Sequence, residues 1–259
     1  LTHTKVIITT GHFSVMEFNF ETGRSFAESR DSSAGESTTA DFDVPGHIYL
    51  DSNSLGPISE RAHSAVEKVM QEWRELGVRG WSDADPPWFY YGEILGDRIA
   101  PIVGAMESEV VVANSTTINI HTVLGSFLDR CLREDRGHKV LVNELDFPTD
   151  HYAIRGQLRT RGLDPDDSLV RVESRDGLTI HPEDIEAELA NDPEIGTVFM
   201  PAVLYQSGQR FDIERIARMA HDHEAFVGFD LAHSVGLIPH NLKTHNVDFA
   251  VWCTYKYLN

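Results

Sequence analysis

The 259-residue chain carries 41 acidic and 22 basic side chains, a formal net charge of −19, and is 41% hydrophobic. That hydrophobic share suits a soluble globular protein with one large or two modest cores. The acidity argues against a nucleic-acid backbone or an anionic membrane surface as partner, and no apolar run is long enough to span a bilayer.

Leu1 is not an ordinary initiator, Leu1 to Val15 matches no pattern, and Met16 is an alternative start. The stretch from Ser25 to Asp43 is rich in Ser, Glu, Asp and Gly, so residues 1–47 are expected to form a poorly ordered arm. The ordered body is expected to run over 48–259. Ser59 is placed to cap a helix over Glu60–Leu76, whose Ala62, Val66, Val69, Met70, Trp73 and Leu76 recur at three- and four-residue spacing. A Gly/Pro-marked loop, Gly77–Pro87, precedes a second helix over Phe89–Val103. The pattern then alternates. Strands are expected at Val110–Ala113, Val140–Asn143, Leu169–Val172, Thr197–Val203, Ala225–Phe229 and Phe249–Cys253. Helices are expected at Thr117–Arg133, Asp150–Arg161, Pro182–Leu189 and Asp212–His223. Short Val/Ile/Phe-rich strands alternating with amphipathic helices predict a three-layer α/β/α domain on a mostly parallel sheet.

In open parallel sheets, ligands bind beyond the carboxyl ends of the strands, and the unusual polar residues cluster there. Asn114-Ser115-Thr116-Thr117 follows the first expected strand, and Phe147-Pro148-Thr149-Asp150 the second. Asp230 follows a later strand, and Lys256 follows the last, twenty-six positions on. A lysine and an aspartate so placed suit pyridoxal phosphate. The amine forms a Schiff base with the aldehyde, and the carboxylate keeps the pyridine nitrogen protonated. Thr116 and Thr117 would open a helix whose free N–H groups hold a phosphate. Taken alone they are ordinary capping threonines. Phe147 can lie flat on a cofactor ring, or be a core residue before a Pro turn. Asp230, if buried, needs a partner, which a pyridinium or a structural cation supplies. His233 can back Asp230 or the ring, or sit on a helix face. Tyr255 can donate to a phosphate or move protons, or be a core or interface tyrosine.

Other chemistry lacks its markers. There is no G-x-G-x-x-G, P-loop or G-x-S-x-G. The 13 histidines, including His221-Asp222-His223, match no usual zinc spacing, so no metal is expected. Cys131 and Cys253 lie far apart and read as buried thiols in a reducing cytoplasm. Asn114-Ser115-Thr116 matches a glycosylation sequon but carries no weight without an export signal.

The blocks Gly228-Phe-Asp-Leu-Ala-His-Ser-Val-Gly236 and Val247-Asp-Phe-Ala-Val-Trp-Cys-Thr-Tyr-Lys-Tyr-Leu-Asn259 resemble the kynureninases. These are pyridoxal-phosphate hydrolases of the aspartate-aminotransferase (fold type I) superfamily. The resemblance begins at Ile48-Tyr-Leu-Asp-Ser-Asn-Ser-Leu-Gly56 and includes Asn114–His121 and Phe147–Ile154. It implies that Lys256 is the Schiff-base lysine. Thr116, Thr117, Phe147, Pro148, Thr149, Asp150, Asp230, His233 and Tyr255 would surround the cofactor, and Ser54 would lie near the substrate. A serine that some members place near the cofactor aligns with Pro201, and a histidine near the substrate ring falls near Trp81. Both leave the aryl specificity open.

The implied reaction is hydrolysis of L-kynurenine, or 3-hydroxykynurenine, to anthranilate, or 3-hydroxyanthranilate, and L-alanine. Lys256, Tyr255 and Asp230 would carry it in a cytoplasmic homodimer. By the same resemblance a carboxylate-binding arginine and a small C-terminal domain lie past Asn259, and residues 1–259 alone are expected to be inactive. Two rival readings remain. One is another superfamily member, such as a cysteine desulfurase or related β-lyase. The other is a cofactor-binding fragment without turnover.

Overall fold

The structure is a computed structural model that describes residues 48–259 throughout, with Ser25, Glu28, Ser29, residues 41–43 and Gly46 before them. Leu1–Val15, Met16 and most of the polar stretch 25–43 lie outside the described residues. The chain divides into two compact units, Leu1–Asp43 and Val44–Asn259.

The second unit opens on helix α1 (Glu60–Leu76), whose N-cap Ser59 accepts the Ala62 N–H at 3.1 Å. Short helical turns at Gly77–Arg79 and Gly80–Asp83 lead to α2 (Tyr91–Val103). Next come α3 (Thr116–Glu134), β1 (Lys139–Asn143), α4 (Pro148–Thr160) and β2 (Leu169–Val172). The unit continues through α5 (Pro182–Asn191), β3 (Ile195–Pro201), α6 (Ile213–Asp222), β4 (Phe226–Asp230) and β5 (Phe249–Val251). All five strands run parallel in the order β2-β1-β3-β4-β5.

Period-two alternation explains the layers. In β1, Val140 and Val142 pack with Ile120, Leu124 and Leu128 of α3 and Ile154 and Leu158 of α4. Leu141 points the other way, into a core with Val103, Ile185, Leu189, Ile216 and Ala220 from α2, α5 and α6. Strand β3 repeats the split: Phe199 joins the first core, Val198 and Met200 the second. Both sheet faces are therefore covered, and the domain is the expected α/β/α sandwich. Among the described residues no helix is long and apolar enough to cross a membrane.

Two expectations are corrected. Val110–Ala113 is extended but joins no sheet. Its Val112 N–H bonds the Gly92 carbonyl at 3.0 Å, and α2 presses on it so closely that a Cβ on Gly96 would lie 2.1 Å from the Val110 oxygen. The segment borders a cavity whose far wall is β5. Among the described residues no strand pairs with it, so apolar β-formers alone did not make a strand. The apolar stripe of α1 is only partly covered: Ala62, Val69 and Leu76 are half-buried, while Val66 is 64% exposed and Trp73 63%. Its periodicity gave the helix and its bounds, but not a partner.

One glycine decides how β4 meets β5. The Phe249 ring lies over Gly228, stacked with Phe127 (4.7 Å) and Phe199 (5.9 Å). A Cβ at Gly228 would fall 2.2 Å from that ring. Gly228→Ala should therefore cost about 1–3 kcal/mol, the usual penalty of overpacking. Urea unfolding measures it, and a variant as stable as its parent would show that the ring can move aside.

Candidate active site

Register brings the chemistry together. Pro201, Asp230 and Val251 are successive cross-strand neighbours at the carboxyl ends of β3, β4 and β5. Residues that follow those strands consequently open onto one end of the sheet. A cavity of about 1360 Å³ lies there. Its walls include Thr116, Thr117, Phe147, Thr149, Asp150, Asp230, His233, Tyr255 and Lys256. Pro148 is the first residue of α4 beside it. Ser54 and Trp81 do not line it. Ser54 sits in a turn whose N–H bonds the Asp51 carbonyl at 2.9 Å, and Trp81 packs edge-on against Trp88 at 6.3 Å.

Asp230 is 8% exposed, and its Oδ1 accepts the Ala232 N–H at 2.8 Å. Burial raises its pKa to about 6, opposed by that N–H, the Lys256 charge and a hydrogen bond with Asp150. Asp150, also buried, is pushed up to about 9 by desolvation and then by the charges of Asp230 and Asp146. Two carboxylates in contact in a dry setting cannot both ionise cheaply. The proton sits on Asp150, which donates to Asp230. Asp146 stands behind them, held by the Asn143 N–H (3.0 Å) and Asn143 Nδ2 (2.5 Å), with His151 Nε2 at 3.6 Å.

Lys256 Nζ donates to Nε2 of His233 at 2.8 Å. Burial, then the lysine charge, lowers the His233 pKa to about 4. The imidazole is therefore neutral, and because Nε2 accepts, its proton lies on Nδ1. Tyr255 is 54% exposed. Desolvation, then a hydrogen bond with Cys253, raises its pKa, so the phenol keeps its proton.

At the opposite wall, α3 begins at Thr116 under the N-cap Ser115, whose hydroxyl accepts the Ile118 N–H at 3.4 Å. Ser115 therefore does the capping, and Thr116 and Thr117 occupy the first helical positions facing the cavity. Phe147 caps α4 and meets Tyr205 edge-on at 5.2 Å, while the Tyr205 ring lies 6.3 Å from that of His233. Tyr205 and Asp146 escaped the sequence reading. Tyr205 lies in an irregular loop after β3 and carries no spacing signal. Asp146 had one available sign, a carboxylate directly before the Phe147–Asp150 turn.

The aminotransferase class-V profile matches residues 48–259. The chain belongs to the aminotransferase class-V family. This class-V chain is 47% identical over 216 residues to a kynureninase of Bacillus anthracis, covering 83% of the chain and 49% of that protein. A kynureninase of Shouchella clausii is 45% identical over 212 residues, covering 82% and 48%. The chain thus spans about half the length of the curated relatives it matches. Among solved structures, a C-DES variant with glycine covalently linked to its PLP cofactor superposes with a TM-score of 0.71 at 16% identity, over 86% of this chain and 56% of that one. The cysteine desulfurase of Thermococcus onnurineus NA1 gives 0.65 at 20% identity, over 81% and 50%. These two likenesses establish the shared fold.

The carboxylate pair of this class-V chain has a titration consequence. The folded pKa of Asp150 lies above its unfolded value near 3.9. The stability tied to its protonated form is thus fully present below that value and is lost as pH rises toward about 9. An amide in its place would carry no proton to lose. Asp150→Asn should therefore gain stability over its parent as pH rises from about 5 to 9, at no more than about 1.4 kcal/mol per pH unit. Urea unfolding of the cofactor-free protein across that range reads the difference. A constant difference would place the ionised acid in the fold.

Proposed function

We propose that the whole protein is a kynureninase: a pyridoxal-phosphate-dependent hydrolase that cleaves L-kynurenine or 3-hydroxykynurenine to the anthranilate and L-alanine. The observation that carries this is the pairing of Lys256 and Asp230 at the carboxyl ends of adjacent strands, in one cavity with His233. The 47% identity to a kynureninase supports the substrate class.

The residues present fit the cofactor. Asp230, Asp150 and Asp146 form a buried acidic group that calls for a cation beside Asp230, and a protonated pyridine nitrogen is one. Helix α3 offers free N–H groups and the Thr116 and Thr117 hydroxyls for the phosphate. Phe147, 44% exposed, borders the cavity with an apolar face for the ring. Pro148 and Thr149 complete the turn that delivers Asp150. When bound there, pyridoxal phosphate supplies an electron sink for charge developing at the substrate Cα.

The chain's own residues divide the remaining work. Lys256 would hold the cofactor through its amine, and that amine, when free, would accept a proton from the substrate Cα. Neutral His233 accepts from that amine while it waits. The Asp230 carboxylate would hold the cofactor's ring N–H, and Asp150 shares its proton with Asp230. The Tyr255 phenol, protonated and half in solvent, donates or relays a proton as the Cβ–Cγ bond of the hydrated substrate breaks. Ser54 and Trp81 remain proposed substrate neighbours, on turns outside the cavity wall. A cytoplasmic homodimer is the expected setting of the whole protein.

Two measurements test this reading. The whole protein should release fluorescent anthranilate from L-kynurenine. Borohydride reduction with cofactor should label Lys256, and Lys256→Ala should lose essentially all turnover. A label on Lys243 or Lys139 would overturn the assignment. For the phosphate, Thr117→Val keeps size but removes a hydroxyl from a charged group. It should weaken cofactor binding by roughly 1.5–3 kcal/mol. Equilibrium dialysis measures the change, and an unaltered affinity would remove Thr117 from the site.

A further inference from the structure

The lysine stands on poorly supported backbone. The ladder of β5 stops at Val251, and Trp252–Tyr255 has no regular structure. A lysine side chain also loses up to about 2 kcal/mol of rotamer freedom when fixed. Something must hold the peptide beneath it if the amine is to meet His233.

That support comes from the other end of the unit. The turn Asp51–Gly56 is closed by two bonds to the Asp51 carbonyl, from the N–H groups of Ser54 (2.9 Å) and Leu55 (3.1 Å). The Tyr49 hydroxyl ties it further, donating to the Leu55 carbonyl at 2.6 Å. From this preformed turn the Gly56 N–H donates to the carbonyl of Tyr255, at 2.7 Å. The approach tolerates no side chain. A Cβ on Gly56 would lie 2.2 Å from the Lys256 carbonyl oxygen and 2.0 Å from Oδ1 of Asn259. Backbone carbonyls cannot swing away as side-chain tips do, so glycine is required on steric grounds.

A second glycine closes the loop from the opposite direction. Gly236 has φ +81°, and a Cβ there would lie 2.8 Å from Cδ2 of Leu258 and 3.1 Å from the Tyr257 carbonyl. Gly236 lies in the same turn that carries His233. The segment around Lys256 is therefore approached by two glycines, Gly56 at the Tyr255 and Lys256 carbonyls and Gly236 at Tyr257 and Leu258.

We infer that the Asp51–Gly56 turn is a clamp on the lysine loop, with Gly56 a positioning residue that fixes the Lys256 backbone so that its amine reaches His233 and the cavity. The inference rests on the proposed role of Lys256. Its effect is on the rate and geometry of the lysine's covalent capture of an aldehyde, with the fold left intact.

The test compares Gly56→Ala with Gly46→Ala, whose Cβ meets nothing within 4 Å. All are made in the whole protein. In the cofactor-free state, hydrogen exchange of the 255–259 segment should accelerate at least tenfold in Gly56→Ala, with the β4 amides unchanged. On adding pyridoxal phosphate, capture trapped by borohydride at Lys256 should slow at least tenfold, and the pH midpoint of the bound cofactor's visible absorbance should shift. Gly46→Ala should match wild type throughout. Wild-type exchange and capture in Gly56→Ala would overturn the clamp. If Gly56→Ala does not fold, Tyr49→Phe decides. It removes only the bond that ties the turn and should slow capture severalfold at an unchanged melting temperature, and an unchanged rate would overturn the clamp. A wild-type label away from Lys256 would instead overturn the proposed function, and the exchange result alone would then decide whether the clamp exists.

Discussion

A carboxylate buried at the end of a parallel strand sets the terms for this site. Asp230 is the last residue of β4, inside a sheet covered on both faces, and its position follows from the register of β4 with β3 and β5. Burying an acid there is costly unless charge or hydrogen bonds answer it. The structure supplies a backbone N–H from Ala232, a proton shared by Asp150 and the charge of Lys256. None of these sits on β4 itself. Ala232 follows β4, Asp150 lies in the first turn of α4 and Lys256 follows β5, and the parallel arrangement brings all three to one end of the sheet. The core on both faces serves the site by holding three strand ends in line.

Much of this was legible in the residues. The helix over Glu60–Leu76 and the strand Leu169–Val172 fall where periodicity puts them, and most other elements shift by a residue or two. Long amphipathic runs and short apolar ones carry their own period, so they survive without knowledge of the fold. Val110–Ala113 did not, because a strand needs a neighbour and the sequence cannot show which neighbours are present. The site follows the same division. Asp230, Lys256, Thr117 and Asp150 could be grouped because each follows a strand signal, and all four border one cavity. Tyr205 is placed by tertiary structure alone, and Asp146 carried only its position before the Phe147–Asp150 turn. The approach of Gly56 and Gly236 to the segment around Lys256 was equally hidden, since a glycine in a turn looks the same whether or not a carbonyl lies against it.

The surfaces follow from the same architecture. β5 is the edge of the sheet as described, and the cavity beside it reaches to Val110–Ala113. Val111 is 61% exposed, and the stripe of α1 offers Val66, Met70 and Trp73 to its surroundings. Contiguous apolar surface and an unpaired strand edge are places where more chain or another chain packs. The cavity therefore combines two features, a polar end near Asp230 and Lys256 and an apolar flank along β5.

Environment, more than residue type, separates the acid and base roles at the polar end. Asp150 and Asp230 are chemically alike, yet desolvation and mutual repulsion leave one protonated and the other ready to pair with a cation. His233 would titrate near neutrality in water, but burial beside the lysine keeps it an acceptor. Tyr255 is held the other way, its proton retained by partial burial and by Cys253. Across the neutral range, then, the histidine stays neutral and the phenol protonated. The role proposed for the Lys256 amine needs such neighbours. They must change little while it changes, and their fixed protonation follows directly from where the sheet places them.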